Sequence, residues 1–227
     1  MTTGGEGGMV TCNDEALWRA VWSYKDHGKS YAAVYEREHP PGFRWLHESF
    51  GTNGRMTEIQ AAIGRIQLRY MKNWTAARTT NALAIHKALL PFSGDNGVVR
   101  LPKLECADCP QLGCKNCSCV HAYYKFYTFI RSENLTNGWS RESIINEIIA
   151  RGVPCYNGSC SEVYLEKVFE NTDFRPKERL HVAKELGETS LMFLVHPTLK
   201  EAEIRKTCQV IHEVLEEASI SIEENSR

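Results

Sequence analysis

The chain has 227 residues, 42% hydrophobic and 24% charged, which is enough for one large or two small domains with a buried core and excludes a disordered polypeptide. Its 27 basic and 28 acidic side chains leave a net charge of −1, without the electrostatic footprint of a nucleic-acid or anionic-membrane binder, so small-molecule or protein partners are expected. No apolar run reaches the roughly 18 residues of a membrane span, and no basic-then-apolar leader follows Met1, so the expectation is a soluble, cytosolic protein.

In chain order, the glycine-rich opening "TTGGEGG" is followed by "GGMVTC", which predicts a short buried strand. Asn13 and Asp14 then cap a helix carrying Leu17, Val21 and Trp22 on one side, and Gly28 ends it. Residues 30–50 are polar and aromatic around Pro40, Pro41 and Gly42, the composition of a loop. A long helix begins with Thr57 and Gln60 in capping-box spacing, carries Ile59, Ile63, Ile66 and Tyr70 on one face, and stops at Pro91.

Beyond it the sequence predicts strands at "GVVRL" and "AYYKFYTFIR", a helix capped by Ser140, and an extended "GVPCY". A helical stretch near 161–169, a strand "TSLMFLV" and a last helix with Ile204, Cys208, Ile211 and Leu215 complete the pattern. Strands alternating with helices define an α/β or α+β chain. The division expected is 1–70, a boundary inside the long helix near Tyr70, a second domain 71–219 and a frayed tail 220–227.

Two stretches carry candidate chemistry. Glycines gather where backbone takes positive φ or approaches a ligand, so "TTGGEGG" could cradle a charged group or simply turn into a strand. In "GTNGRMTEIQ", Asn53 and Arg55 stand two apart in extended chain and therefore point the same way, just ahead of a helix N-terminus. An amide, a guanidinium and a helix start together suit a phosphate or carboxylate; an Asn-Gly turn with an exposed arginine fits the same letters.

"TTGGEGGMVTCNDEALW", "GTNGRMTEIQAAIGRIQL" and "GVPCYNGSCSEVYLEKVF", in this order from Met1 to about Ala218, resemble the DegT/DnrJ/EryC1/StrS sugar aminotransferase family of pyridoxal-phosphate enzymes. The resemblance implies an α/β fold of the type I aminotransferase kind: the end of the large domain in 1–70 and the smaller α+β C-terminal domain in 71–219. It implies amino transfer from glutamate to a nucleotide-linked keto sugar, pyridoxal 5'-phosphate as cofactor, and a homodimer or a dimer with a complete paralogue. It also places the lysine that forms the Schiff base about two residues before Met1, so this chain is expected to be a catalytically inactive fragment. Lys25 and Lys29 lie too far along to substitute.

By the same match Asn53 contacts the cofactor phosphate of the partner chain, Arg55 the anionic substrate or donor, and His121 faces the substrate. Family members carry tyrosine at the place of Gly54, a departure that loosens the backbone there. An alternative within the resemblance is a pyridoxal-phosphate-dependent sugar dehydratase; one of a different class is a non-catalytic dimerisation module with a zinc-bound loop.

The cysteine-rich stretch 106–119 is not typical of that family. Five of the nine cysteines lie in it, and an odd total of thiols in a cytosolic chain argues for reduced cysteines or metal ligands over a disulfide framework. Cys106 with Cys109, and Cys114 with Cys117, are two pairs at zinc-knuckle spacing, and tetrahedral zinc takes four such thiolates. Because only Pro110 to Gly113 lies between the pairs, the loop would have to turn sharply there, and an unliganded or redox-sensitive loop is the competing reading. Cys155 and Cys160, without a paired histidine, are read as structural or substrate-loop residues.

Overall fold

A computed structural model describes residues 3–102 and 121–219. Its contacts divide the chain between Lys72 and Asn73 into an N-terminal and a C-terminal unit. One helix, α3 (Glu58–Leu89), runs through that division without a break.

The N-terminal unit is built from α1 (Glu15–Lys25), α2 (Tyr31–Tyr35) and the start of α3. Asp14 caps α1 by accepting from Leu17 N at 2.8 Å. The α1 face predicted to be apolar is not buried: Leu17 is exposed, and Trp22 is half-buried against the rings of Tyr31 and Tyr35. The element α2 falls in the stretch expected to be loop, where Ser30 accepts from Ala33 N and caps the helix. The predicted "GGMVTC" strand does not form, and Met9 is 84% exposed. A strand needs a ladder partner, and none of the described residues pairs with it. At the start of α3 the expected capping box is present: Gln60 Oε1 accepts from Thr57 N at 2.9 Å and Thr57 Oγ1 from Gln60 N at 3.3 Å.

The C-terminal unit holds the core. Its sheet has the order β1-β2-β4-β3, from β1 (Val99–Arg100), β2 (Phe126–Ile130), β3 (Cys155–Tyr156) and β4 (Ser190–Phe193), and every pairing is antiparallel. Alternation along β2 buries Phe126, Thr128 and Ile130 on one face. Phe126 lies opposite Phe193 across the ladder, and both are fully buried.

Helices α4 (Arg141–Ala150) and α6 (Glu201–Ala218) pack on each other, and α4 packs on β3 and β4. Ile144, Ile148, Ile211, Val214 and Leu215 join Ala82, Ile85 and Leu89 of α3 in one cluster. Ser140 caps α4 in a reciprocal box with Ser143, as its spacing requires. The predicted helical stretch near 161–169 is two short 3₁₀ turns, Val163–Leu165 and Lys167–Phe169. Helix α5 (His181–Thr189) was not anticipated: no side chain caps it at Leu180, and Gly187 stands inside it.

Candidate functional site

In the N-terminal unit, the end of α1 and the chain entering α3 meet at a polar cluster. The residues after α1 turn sharply, with His27 at φ 62° and Gly28 at φ 86°. A Cβ on Gly28 would run into the Ser49 carbonyl, and one on Gly51 would stand 2.6 Å from the Tyr24 carbonyl oxygen, so both glycines are required by close approach. That approach pairs Asp26 with Asn53 in an isolated antiparallel bridge.

Asn53 and Arg55 are thereby brought side by side. Arg55 Nε donates to Asn53 Oδ1 at 3.2 Å and stands 3.4 Å from Asp26 Oδ1, while an Arg55 Nη contacts His27 Nε2 at 3.0 Å. Asp26 is 9% exposed and its Oδ1 accepts no hydrogen bond, so the carboxylate holds the guanidinium by charge alone. Asn53 Nδ2 donates to no other described residue, and the Arg55 side chain is 51% exposed. The pair thus offers amide and guanidinium N–H groups to an oxyanion beside a helix N-terminus, although the α3 cap uses the Gln60 N–H. Since Asp26 offsets the charge of Arg55, the attraction rests on directed hydrogen bonds more than on net charge. Asp26 and His27 escaped sequence reasoning; the "DHG" triplet closing a helix was their signal.

The C-terminal unit carries the remaining candidates. His121 is exposed, accepts from Tyr123 N at its Nδ1 (3.0 Å), and has its ring 4.3 Å from that of Tyr123. Cys106, Cys109, Cys114 and Cys117 lie outside the described residues, and among the described residues no group of three or more His, Cys, Asp or Glu side chains is arranged to hold a metal ion. Cys155 is buried and its thiol is pushed up to about 12 by desolvation, which makes it structural; Cys160 is exposed.

Cys160 lines an open cavity of about 560 Å³ together with Asn157, Ser161, Glu166 and Lys184. Arg179 and Glu162 brace its wall: Arg179 Nε donates to Glu162 Oε1 at 2.9 Å, and Tyr164 Oη donates to the same oxygen at 2.6 Å. These bonds, from Arg179 first, hold the Glu162 carboxyl down at about 2.

The sequence profile described as the DegT/DnrJ/EryC1/StrS aminotransferase family matches residues 1–212. The chain belongs to the DegT/DnrJ/EryC1/StrS aminotransferase family. Among solved structures it is similar to an aminotransferase from Psychrobacter cryohalolentis, with 60% identity and a TM-score of 0.84 over 95% of this chain and 53% of that one. It therefore spans about half the length of that family member. NtdA from Bacillus subtilis, solved with bound PMP, is 17% identical with a TM-score of 0.62, covering 91% of this chain and 41% of that chain, a likeness of fold alone. Among curated proteins, the erythromycin biosynthesis sensory transduction protein EryC1 of Saccharopolyspora erythraea is 35% identical over 78 residues, 34% of this chain and 18% of that protein. The mixed α/β architecture is accordingly that of the type I aminotransferases.

Proposed function

We propose that this chain forms the C-terminal part of a pyridoxal-phosphate-dependent aminotransferase that moves an amino group from glutamate to a nucleotide-linked keto sugar. The observation that supports this reading most directly is the Asn53–Arg55 pair braced by buried Asp26, in a chain whose family match runs over residues 1–212. The donor set fits a phosphate. Asn53 offers an amide N–H to a phosphate oxygen, and Arg55, pinned by Asp26, offers guanidinium N–H groups to the same anion or to the carboxylate of the amino donor. The bound cofactor would supply an electron sink for the substrate carbon from which a proton leaves. His121, its Nδ1 occupied by Tyr123 N–H, would direct Nε2 towards the oxygen-rich substrate.

The proton-moving lysine of this chemistry lies, on this reading, outside Met1 to Arg227, and neither Lys25 nor Lys29 replaces it. The chain by itself is then a binding half without catalysis, completed in a homodimer or by a full-length paralogue. The exposed apolar side chains Ile59, Ile63 and Ile66 of α3 favour such an assembly. We retain zinc at Cys106, Cys109, Cys114 and Cys117 as a subsidiary proposal, to be tested by metal analysis of the purified chain.

The test of the main reading is spectroscopic. Purified chain mixed with pyridoxal phosphate should develop no lysine-linked absorbance, and borohydride should trap no single site. A stable adduct at one defined lysine, mapped by mass spectrometry, would refute it.

A further inference from the structure

The buried stripe of α3 contains one charged side chain. Arg78 lies one turn before Ala82, in line with Ile85 and Leu89, and is 5% exposed. A buried guanidinium ordinarily regains its lost hydration from a carboxylate. Arg78 has no carboxylate partner among the described residues, its Nε makes no hydrogen bond, and burial lowers its pKa. His196 close by is basic and does not relieve it, and the Tyr124 phenol offsets the burial only in part.

What Arg78 does hold is backbone. Its Nη1 donates to the carbonyl oxygens of Tyr123 at 3.4 Å and Tyr124 at 3.3 Å. The first of these carbonyls belongs to Tyr123 itself, whose backbone stands at φ 41°, in the left-handed region that a bulky residue enters at a cost. At the same residue the N–H meets His121 Nδ1 at 3.0 Å. An imidazole nitrogen that accepts a hydrogen bond carries no proton, so neutral His121 keeps its proton on Nε2.

We propose that Arg78 is a positioning residue: by pinning the left-handed turn at Tyr123 it fixes His121 as the Nε2–H tautomer and holds that N–H ready to donate to a hydroxyl or carbonyl oxygen of the sugar substrate. The part concerning substrate rests on the reading of His121 given above; the part concerning the pin does not. Arg78 touches neither substrate nor cofactor in this role. Its place in the core stripe explains why a cation is tolerated there: aliphatic stem packs with the helix face, and the charged head is spent on carbonyl oxygens that strand pairing leaves over.

The experiment is amide exchange and side-chain nitrogen NMR on the full ¹⁵N-labelled chain. In the wild type the Tyr123 amide should be protected and His121 should show a bare Nδ1 and a protonated Nε2. In Arg78→Met, which keeps the volume and removes the donors, Tyr123 protection should fall by about tenfold or more, and the His121 nitrogens should move to the values of a free imidazole. The amides of Phe126 and Ile130 should stay protected. Arg78→Lys keeps a cation without the fork and should show a smaller loss in the same direction; if the methionine variant does not fold, the lysine variant decides. Unchanged Tyr123 protection in either folded variant overturns the pin. Titration with UDP-N-acetylglucosamine separates the two parts. A response at His121 Nε2 that Arg78→Met abolishes supports both, whereas loss of Tyr123 protection with no His121 response in the wild type leaves the pin standing and refutes the substrate role.

Discussion

At the residue scale, the Glu162 carboxyl shows how one hydrogen-bonded contact reaches into solution behaviour. Its folded value of about 2 lies below the ordinary 4.5, chiefly through Arg179 and then Tyr164. The sign follows: a depressed carboxylate stabilises the fold fully above about 4.5, progressively less as pH falls, and not at all below about 2. The brace on the cavity wall should therefore survive at pH 4. A ¹³C titration of Glu162 should give a midpoint near 2 that moves back towards 4.5 in Arg179→Met, and a wild-type midpoint near 4.5 would contradict the geometry. Some residues of this kind were legible and others were not. The spacing of Asn53 and Arg55 in extended chain foretold that they would share a side, and they do. Asp26 and His27 were hidden because they reach Arg55 only through a turn closed by glycines distant in sequence, Gly28 and Gly51. Arg78 was hidden because a helical stripe of 78, 82, 85 and 89 reads as apolar only if its first member is ignored.

At the element scale, local chemistry decided what could be read. Asp14, Ser140 and the Thr57–Gln60 box each announce a helix start by residues three apart, and each is realised. Strands could be read where alternation met a partner: β2 alternates and pairs on both sides, whereas "GGMVTC" is apolar and unpaired, and an apolar run without a ladder stays irregular. Helix α5 was illegible because no side chain caps its start and Gly187, a residue that breaks helices, lies within its nine residues. The caps should also register in stability. Ser140→Ala removes the acceptor for Ser143 N and should lower the stability of the C-terminal unit by about 1 kcal/mol, while Ile85→Ala, in a side chain with no exposure, should cost about 2–5 kcal/mol. Urea denaturation compares the two; equal effects would mean that α3 packs less tightly than its burial indicates.

At the scale of the whole molecule the two units differ in kind. Among the described residues the continuous core lies between Ala82 and Ala218, whereas the only buried hydrophobic residue in 3–72 is Ala33. A segment without a core has little to offset the conformational entropy of folding. Limited proteolysis of the chain should leave a resistant product from roughly Asn73 to Ala218 and digest the first seventy residues early; uniform resistance from Met1 onward would contradict this contrast between the units. The family match fits this contrast, since the chain spans 53% of the Psychrobacter cryohalolentis aminotransferase.

Helix α3 belongs to both regimes, and that gives its first turns an unusual thermodynamic position. Starting a helix is the expensive step and lengthening one is nearly neutral, with the nucleus disfavoured by a factor on the order of a thousand. The turns around Ala82, Ile85 and Leu89 are fixed by the core, so the nucleus already exists. The turns carrying Ile59, Ile63 and Ile66 need only extend it, residue by residue, on helix propensity and the Thr57–Gln60 cap. The ordered approach to Asn53 and Arg55 is in this sense borrowed: the C-terminal unit supplies the seed from which the scaffold of the candidate anion site grows backwards along the chain.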